Sequence, residues 1–273
     1  MRWSKVGGSP WVCRQRALSS PRLRLVCFPF AGGGASSFSG WCDALPKGVE
    51  VLLIQPPGRE SRLLEPSFRR LESLVEALRP SLDSLLDIPH AFFGHSMGAF
   101  VAFELCRDRA LRGKRPPELL FVSASCAPHV PDDEPAIFSL PDGEFIQKLQ
   151  VRYGGIPPEV LGSPELMELV LPNLKGDLEL VETYRPALGD ETLSLPIVAL
   201  AGADDRVVPS NKLSQWQELT NESFQLHSIQ GGHFFLSSNR RVVLEIIGEQ
   251  LQRLLDRDLA ERAQRKRSRT APP

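Results

Sequence analysis

The residue of this chain best suited to nucleophilic chemistry is a serine inside a Gly-x-Ser-x-Gly pattern. Residues 94–98 read Gly-His-Ser-Met-Gly, with a short apolar run before them and an apolar helical pattern after them. A serine at such a strand-to-helix turn stands above its sheet, and the flanking glycines let the neighbouring strand and helix approach closely. The amides and dipole of the following helix then point at the charge that develops during acyl transfer. We therefore take Ser96 as the candidate nucleophile; an ordinary Gly/Ser turn is the alternative for the pattern alone.

An aspartate and a histidine follow the last two strand-like segments of the chain. The pair Asp204 and Asp205 comes after the first of these segments, and His233 comes after the second. An imidazole can accept the serine proton, and a carboxylate can fix the imidazole tautomer and support the imidazolium. The chain order Ser, Asp, His is that of the α/β-hydrolases. We assign Asp205 as the acid and Asp204 as a loop cap, with the reverse choice open.

A glycine-rich segment after the first strand-like run offers backbone amides for the same reaction. The run Leu23 to Phe28 leads into Pro-Phe-Ala-Gly-Gly-Gly at residues 29–34. This spacing differs from G-x-G-x-x-G, and no lysine follows as in a P-loop, so a dinucleotide or phosphate site is disfavoured. In an oxyanion loop, by contrast, an amide just after this strand works together with the amide that follows the nucleophile. Those amides belong to Ala31 and Met97; a mobile glycine linker is the alternative.

Strand-like and helical patterns alternate through most of the chain. This alternation predicts an α/β fold with a mostly parallel sheet and helices on both faces. Active sites of such sheets lie at the carboxyl ends of the strands, where Ala31, Ser96, Asp205 and His233 would gather. The predicted strands are Leu23 to Phe28, Val49 to Ile54, Ala91 to Gly94, Leu119 to Ala124, Leu195 to Ala201 and Phe224 to Ile229.

The alternation fails between about residues 130 and 187, where helical patterns follow one another without a strand. We predict a helical lid inserted over the edge of the sheet, with its helical patterns separated at Pro172. Earlier in the chain Ser36 to Leu45 is predicted to be a helix, and Pro80, which removes an amide donor, predicts a kink or two short helices in the helical pattern after Phe68. Apolar lid residues would line a hydrophobic substrate channel, with ordinary packing inside the lid as the alternative for any one of them. The candidates are Phe138, Phe145, Leu149, Ile156, Leu166, Met167 and Leu178, joined by Phe30 from the glycine-rich loop.

The two ends of the chain lack the pattern of the central part. Residues 1–21 have no sustained period and are predicted to form an N-terminal arm, anchored by Trp11 and laid over the domain. Residues 22–260 would form one α/β-hydrolase domain that closes with an amphipathic helix at 239–259. Residues 261–273 are basic and without an apolar face, which predicts a disordered tail.

The composition excludes several classes of function. The 273 residues carry 32 basic and 33 acidic side chains, a formal net charge of -1, so the global basic field of a nucleic-acid binder is absent. Five scattered cysteines form no C-x-x-C pair, which predicts neither a disulfide framework nor a zinc site. No secretory signal and no apolar run of about 18 residues is visible. We expect a cytoplasmic monomer that binds no metal, no cofactor and no membrane.

Several motifs resemble the type II thioesterases, discrete enzymes that accompany fatty-acid, polyketide and nonribosomal-peptide synthases. The resemblance extends from about Trp11 through the closing helix. The motifs are Cys27-Phe28-Pro29-Phe30-Ala31-Gly32-Gly33, Gln55-Pro56-Pro57-Gly58-Arg59-Glu60, Gly94-His95-Ser96-Met97-Gly98-Ala99, Tyr153-Gly154-Gly155 and Gly231-Gly232-His233-Phe234.

This resemblance implies an α/β-hydrolase fold with a helical lid, a triad of Ser96, Asp205 and His233, and an oxyanion hole from Ala31 and Met97. It implies acyl thioesters on the phosphopantetheine arm of acyl or peptidyl carrier proteins as substrates, and a proofreading role beside a synthase. Phe30 replaces the more usual Tyr or His of the family, which leaves the fine selectivity open.

Other functions remain compatible with these residues. The same triad could serve a carboxylic-ester hydrolase or an acyltransferase, and an idle α/β-hydrolase fold could bind a small ligand. Carrier proteins are usually acidic, so a docking surface would use local arginines. Arg59, Arg62, Arg69, Arg70 and the turn at 112–115 are the candidates.

Overall fold

The computed structural model describes residues 3–131, 134–154, 156–187 and 192–270, with the backbone alone described at 261–263 and 265–270. Eight strands in these ranges form a single sheet in the spatial order β1-β2-β4-β3-β5-β6-β7-β8. The strands from β3 to β8 run parallel, and β1 and β2 add an antiparallel edge. The strands are β1 Ser4–Lys5, β2 Val12–Arg14, β3 Leu23–Phe28, β4 Val49–Ile54, β5 His90–His95, β6 Leu120–Ser123, β7 Ile197–Gly202 and β8 Phe224–Ile229.

Helices cover both faces of the sheet, which confirms the predicted fold class. Parallel strands buried on both faces need this cover, and their sequences are correspondingly apolar. One core packs α2 and α3 against the sheet, and the other packs α1 and α9 against its opposite face. The α-helices of the described residues are α1 Trp41–Ala44, α2 Leu71–Asp83, α3 Met97–Leu111, α4 Asp142–Tyr153, α5 Pro158–Leu161, α6 Pro164–Thr183, α7 Ser210–Leu213, α8 Phe235–Ser238 and α9 Arg240–Thr270.

The strand order reverses direction around β3. The chain passes from β3 to β4 on one side and then crosses to β5 on the other side of β3. At such a switch point the loops after the two central strands diverge and leave a crevice at the carboxyl ends. The loop after β3 carries Ala31, and the turn after β5 carries Ser96, so both lie at this crevice.

The predicted N-terminal arm contributes to the sheet. β1 pairs with β2, and β2 pairs in turn with β4, so strands within residues 4–14 extend the sheet edge, a pairing that the sequence analysis did not predict. Trp11 is buried as predicted, with the guanidinium of Arg62 4.3 Å above its ring and Phe68 beside it. A short antiparallel ladder of this kind carries too few residues to show a period of its own.

Two predicted proline breaks are absent from the described helices. α2 runs through Pro80, and α6 runs through Pro172. In α6 the side-chain Nδ2 of Asn173 donates to the carbonyl of Leu169 at 3.0 Å and helps to satisfy a carbonyl near the proline. Tertiary packing of the apolar faces therefore outweighs the local penalty of each proline. The predicted helix at 36–45 is instead a 3-10 turn at Ala35–Phe38 followed by α1.

The closing helix is longer than predicted. α9 continues from Arg240 to Thr270, where we expected it to end at Leu259 and a disordered tail to follow. Neither glycine nor proline occurs between residues 249 and 270, and the arginine, glutamine, lysine and alanine residues there are good helix formers. The last three residues of the predicted tail, 271–273, lie outside the described residues. Of the described helices, none has both the length and the apolar run needed to cross a membrane.

Candidate active site

The turn that carries Ser96 is forced by steric crowding. Ser96 adopts φ 54° and ψ −119° between the end of β5 and the start of α3, a conformation that ordinary side chains avoid. A Cβ on Gly94 would lie 2.2 Å from the carbonyl oxygen of Gly98, and a Cβ on Gly98 would lie 2.1 Å from that of Phe28. Only glycine fits either position, and the strained turn lifts the serine hydroxyl above the sheet.

Two loops at the same edge of the sheet bring His233 and Asp205 to this serine. Nδ1 of His233 lies 2.9 Å from Oδ2 of Asp205, and Nε2 lies 3.1 Å from Oγ of Ser96. The hydrogen-bond network fits the tautomer in which Nδ1 donates to the carboxylate and Nε2 accepts from the serine hydroxyl. The structure thus brings the three predicted residues together from the ends of β5, β7 and β8 in the order that nucleophilic catalysis requires.

Asp205 is held as a carboxylate by its neighbours. Its Oδ1 accepts hydrogen bonds from the amides of Val207 and Val208 at 2.9 and 3.1 Å. Burial acts to raise the pKa of Asp205, but the bond from His233, its charge and these two amides outweigh burial and lower the pKa. Oδ1 of Asp205 therefore binds the loop that carries this residue, and Oδ2 binds the imidazole of His233.

Asp204 has a separate structural task. Its Oδ2 accepts from Nε2 of Gln230 at 2.6 Å and from the amide of Gly231 at 3.3 Å, which ties the loop after β7 to the loop after β8. These two bonds stabilise the turn that carries His233, and neither of them involves the imidazole. Between the two neighbouring carboxylates, the structure brings Asp205 to the histidine.

His95, next to the nucleophile, is a buried structural residue. Nδ1 lies 2.9 Å from Oγ of Ser123, and Nε2 lies 3.1 Å from the backbone carbonyl of His233. Complete burial, reinforced by the nearby imidazole of His233, lowers the pKa of His95 to about 3. A neutral His95 can donate from Nε2 and accept at Nδ1, so it fastens the His233 backbone to β6.

The two predicted oxyanion amides belong to the residue after the serine and to the loop after β3. Met97 is the first residue of α3, where helix amides have no partner within the helix. Ala31 lies in the turn after β3, and Gly33 closes that turn by donating to the carbonyl of Phe30 at 2.9 Å. Ala31 and Ser96 line the same cavity. The ring of Phe30 packs against Phe234, with 5.0 Å between centroids, and supports this side of the site.

A cavity of about 430 Å³ extends from Ser96 and His233 to the underside of the lid. Four of the eight predicted channel residues line it: Phe30, Leu149, Ile156 and Leu178. Most of its accessible wall is apolar, which suits a hydrocarbon chain. The other apolar side chains of its wall are Leu63, Tyr153, Val160, Val170, Leu174 and Val181.

Of the other four predicted residues, Phe138, Phe145 and Met167 pack within the lid itself, and Leu166 is exposed on α6. Phe145 is fully buried in the lid core, and Phe138 and Met167 are partly buried against the same cluster. Three helices need an apolar core of their own to hold together, and these side chains supply it. The alternative of ordinary lid packing therefore applies to these three residues.

A second cavity of about 510 Å³ meets the first one at the catalytic residues. Ser96, Tyr153, Val181 and His233 line both cavities. The second cavity continues between the segment 124–131 and the residues around Arg185, and its wall is more polar. The serine therefore stands where two chambers join, an arrangement that can hold a substrate extending in two directions from its reacting carbonyl.

Two residues near the serine escaped the prediction of roles from the sequence. Tyr153 of α4 lies against the imidazole of His233, with 5.3 Å between ring centroids, and Asp177 of α6 binds the amide of Gly32 at 2.7 Å. Tyr153 could have been found from the sequence, since it belongs to the motif Tyr153-Gly154-Gly155. For Asp177, an acidic residue on the buried face of a helix pattern was the available signal.

The arginines proposed for docking differ sharply in exposure. Arg59 and Arg62 are buried, the first against Asp177 and the second over Trp11, so neither is free to meet a partner surface. Arg69 is exposed and pairs with Glu179 of the lid at 2.5 Å. Arg59 and Arg62 therefore serve the interior of the protein, where Arg59 binds the carboxylate of Asp177 and Arg62 binds Glu65 and the carbonyl of Gln55.

These features define a serine hydrolase of the thioesterase class, and the comparison with known proteins agrees. The sequence model of the family described as Thioesterase domain matches residues 23–251, and the chain belongs to this family. It is similar to the gramicidin S biosynthesis protein GrsT of Aneurinibacillus migulanus, with 38% identity over 90% of this chain and 95% of that protein. Thioesterase PikA5 of Streptomyces venezuelae is 36% identical over 90% of this chain and 87% of that protein.

A solved structure extends the likeness to three dimensions. The type II thioesterase BorB from the borrelidin biosynthetic cluster superposes with a TM-score of 0.79 at 33% identity, covering 90% of this chain and 98% of that one. The protein is therefore a serine thioesterase, with the α/β-hydrolase architecture that the sequence predicted.

Proposed function

We propose that Ser96, Asp205 and His233 form the catalytic triad of a thioesterase that releases acyl groups from carrier proteins. The observation that carries this proposal is the hydrogen-bonded chain from Ser96 through His233 to Asp205, with distances of 3.1 and 2.9 Å, at the floor of an apolar cavity. His233 accepts the serine proton as Oγ attacks the thioester carbon, and Asp205 stabilises the imidazolium that forms.

The amides of Ala31 and Met97 stabilise the oxyanion of the tetrahedral intermediate in this proposal. Met97 contributes an amide at the positive end of α3, and Ala31 contributes one from the opposite wall. When the intermediate collapses, the C–S bond breaks and the sulfur leaves as a thiolate, which then takes up the proton held by His233. Water then attacks the acyl enzyme with His233 again as the base, which frees the acid and restores Ser96.

Carrier-protein substrates are supported by the two chambers and by the relatives. A phosphopantetheine thioester extends from its carbonyl in two directions, the acyl chain on one side and the arm on the other. The apolar cavity under the lid fits the chain, and the more polar cavity fits the arm. Relatives named for gramicidin S and borrelidin biosynthesis point to a synthase as the source of such substrates and to editing as the task.

We further propose that the protein works in the cytoplasm as a monomer. All five cysteines lie in the described residues, no disulfide joins them and four of them are buried, which suits a reducing compartment. Light scattering behind size exclusion should give the mass of one chain, and a dimer mass would contradict this part of the proposal.

The test is hydrolysis of acyl carrier proteins followed by intact mass spectrometry. The wild type should remove the acyl mass and leave the phosphopantetheine arm, while Ser96→Ala should leave the acyl group in place. Ser228→Ala, at an exposed serine on β8, is the matched control and should act like the wild type. Carrier proteins that stay acylated with wild-type enzyme would contradict the proposed substrate.

The leaving group distinguishes this function from an esterase. A thiol of pKa about 8.5 leaves as a thiolate with little protonation, whereas an alkoxide needs full acid help from His233. Hydrolysis of an acyl-pantetheine should therefore be strongly preferred to hydrolysis of the matched ethyl ester, measured as kcat/KM. Equal values would favour the carboxylic-ester hydrolase.

A further inference from the structure

The lid helix α6 reaches the oxyanion loop through one buried carboxylate. Oδ2 of Asp177 accepts a hydrogen bond from the amide of Gly32 at 2.7 Å. Its Oδ1 accepts from Nη2 of Arg59 at 2.8 Å, and both side chains are less than a tenth exposed. A single side chain of the lid therefore binds two segments of the domain beneath it, the loop after β3 and the loop after β4.

Close packing of α6 makes these bonds possible. A Cβ on Gly176 would lie 2.3 Å from Oγ of Ser67, and a Cβ on Gly32 would lie 3.2 Å from Cδ1 of Leu174. Gly32 also has φ +78°, a conformation that other residues adopt with strain. The missing side chains at Gly32 and Gly176 allow the helix to approach the domain until the carboxylate meets the main chain.

The two bonds around Ala31 fix consecutive peptide planes. The carbonyl of Phe30 accepts from Gly33, which orients the Phe30–Ala31 peptide and turns the Ala31 amide to the opposite side. The Gly32 amide belongs to the next peptide, Ala31–Gly32, and Asp177 fixes that plane. The Ala31 amide thus lies in the peptide plane that the loop itself holds. The lid holds the peptide plane that follows it.

The bond to Gly32 is strong and directional because the acceptor is charged and buried. Burial raises the pKa of Asp177, and the guanidinium of Arg59 and the Gly32 amide oppose part of that rise. The contact of Oδ1 with Nη2 of Arg59 at 2.8 Å is that of a carboxylate with its counter-ion. A carboxylate that accepts from a backbone amide forms a charge-assisted bond, and a buried ion without its partner is strongly destabilising. Apolar contacts could seat the helix, but they would not orient a peptide plane.

We infer that Asp177 is a positioning residue of the reaction: by holding the Gly32 amide, the closed lid keeps the Ala31 amide directed at the substrate oxyanion. The lid in this arrangement completes the active site as well as covering it. This inference rests on the proposed oxyanion role of Ala31.

The test compares two inhibitors that differ only at the reacting centre. The first is a trifluoromethyl ketone analogue of a short acyl-pantetheine. Oγ of Ser96 adds to its carbonyl carbon, the serine proton passes to His233, and the carbonyl π pair becomes the lone pair of an oxyanion. The matched thioether, with CH₂ in place of the carbonyl, measures ground-state binding alone. Asp177→Ala should raise the Ki of the ketone about 100-fold and lower kcat on an N-acetylcysteamine thioester to a similar extent. The Ki of the thioether should change less than about 3-fold.

Three variants separate positioning from folding. Glu179→Gln removes another bond from α6 to the domain, the pair with Arg69, and should leave both Ki values unchanged. Asp177→Asn keeps an oxygen for the Gly32 amide and should retain most of the ketone affinity. Asp177→Ala combined with Arg59→Met removes both buried charges and should bind the ketone as weakly as Asp177→Ala alone, with a recovered Tm.

Each other outcome has a definite meaning. Equal weakening of both inhibitors, a ketone Ki unchanged by Asp177→Ala, or an Asn variant as weak as the Ala variant would overturn the role of Asp177. A wild type that binds the ketone no better than the thioether would instead overturn the oxyanion site itself. The small thioester substrate keeps this test separate from the question of which carrier protein the enzyme serves.

Discussion

The catalytic edge of the sheet and the lid above it are built by different means. At the edge, parallel strands place Ser96, Asp205 and His233 on the loops after β5, β7 and β8, and main-chain sterics fix the turn at Ser96. The lid is three helices around a small core of their own, and its described ties to the oxyanion loop include the bond from Asp177. The positions of the functional side chains at the edge therefore follow from the order of the strands. The positions of the lid side chains depend on how the lid helices pack against one another.

The largest expected effect tests the edge. Asp205→Asn should lower kcat on the order of 10⁴-fold, because an amide stabilises the wrong imidazole tautomer and cannot support the imidazolium. Asp204→Asn is the matched control: its oxygen can still accept from Gln230 and Gly231, so kcat should stay within about 3-fold. Steady-state kinetics on an acyl-pantetheine measure both. A large loss for Asp204→Asn with an active Asp205→Asn would show that the acid is the other carboxylate.

A pair of glycine substitutions compares the two regions directly. Gly98→Ala should lower the free energy of unfolding by about 3 kcal/mol or more, because its Cβ would meet the backbone of Phe28 at 2.1 Å. Gly143→Ala, in the first turn of α4, meets nothing within 4 Å and should raise stability by about 0.5 kcal/mol. Urea denaturation measures both values. Equal changes at the two sites would mean that the edge is no more crowded than the lid.

The same contrast explains which features the sequence could predict. The elbow at Ser96, the order of Ser96, Asp205 and His233, and the parallel sheet are encoded by local patterns whose steric reasons hold in any context. In the lid, an apolar residue on a helix can face either the cavity or the helix next to it. The sequence alone could not separate Leu178, which lines the cavity, from Phe145, which fills the lid core.

The sequence also could not predict where the helices end or whether they break at a proline. Pro80 and Pro172 locally favour a break, but both helices continue because their apolar faces are packed on the domain. The pairing of β2 with β4 is long-range, and three residues carry no periodic signal of it. Asp177 could be recognised only once the structure showed the loop that it meets.

Acyl-chain preference should distinguish lid residues that line the cavity from lid residues that only pack in the lid core. Leu178→Phe should narrow the cavity and lower kcat/KM for an octanoyl thioester about 10-fold, with the acetyl thioester changed less than 2-fold. Phe145→Leu should lower the Tm through a cavity in the lid core and leave the ratio of octanoyl to acetyl hydrolysis unchanged. A ratio altered by Phe145→Leu and not by Leu178→Phe would reverse the assignment of the two residues.

The smallest effect concerns the way each region buries ionisable groups. The lid buries Asp177 beside Arg59, whereas β5 buries two histidines, His90 and His95, at its two ends. Burial lowers the pKa of His90 to about 4 and that of His95 to about 3, both below the ordinary value of about 6.5. Both rings are therefore neutral in the folded protein at pH values where the unfolded chain already binds protons.

The sign of the pH dependence follows from this difference. Between about pH 6.5 and the lowered pKa values the unfolded state binds more protons, so the free energy of unfolding falls as the pH falls, by up to about 1.4 kcal/mol per pH unit for each histidine. His90→Asn keeps a donor for the carbonyl of Ile88, which Nδ1 of His90 contacts at 2.9 Å, and removes the titrating ring. Between pH 6 and pH 5 this variant should lose about 1 kcal/mol less stability than the wild type. All other titrating groups are common to both proteins and cancel in the comparison, and His227→Asn, at a less buried histidine of β8, should change the slope much less. If wild type and His90→Asn lose the same free energy of unfolding between pH 6 and pH 5, measured by urea denaturation, the proton affinity of His90 does not change on folding.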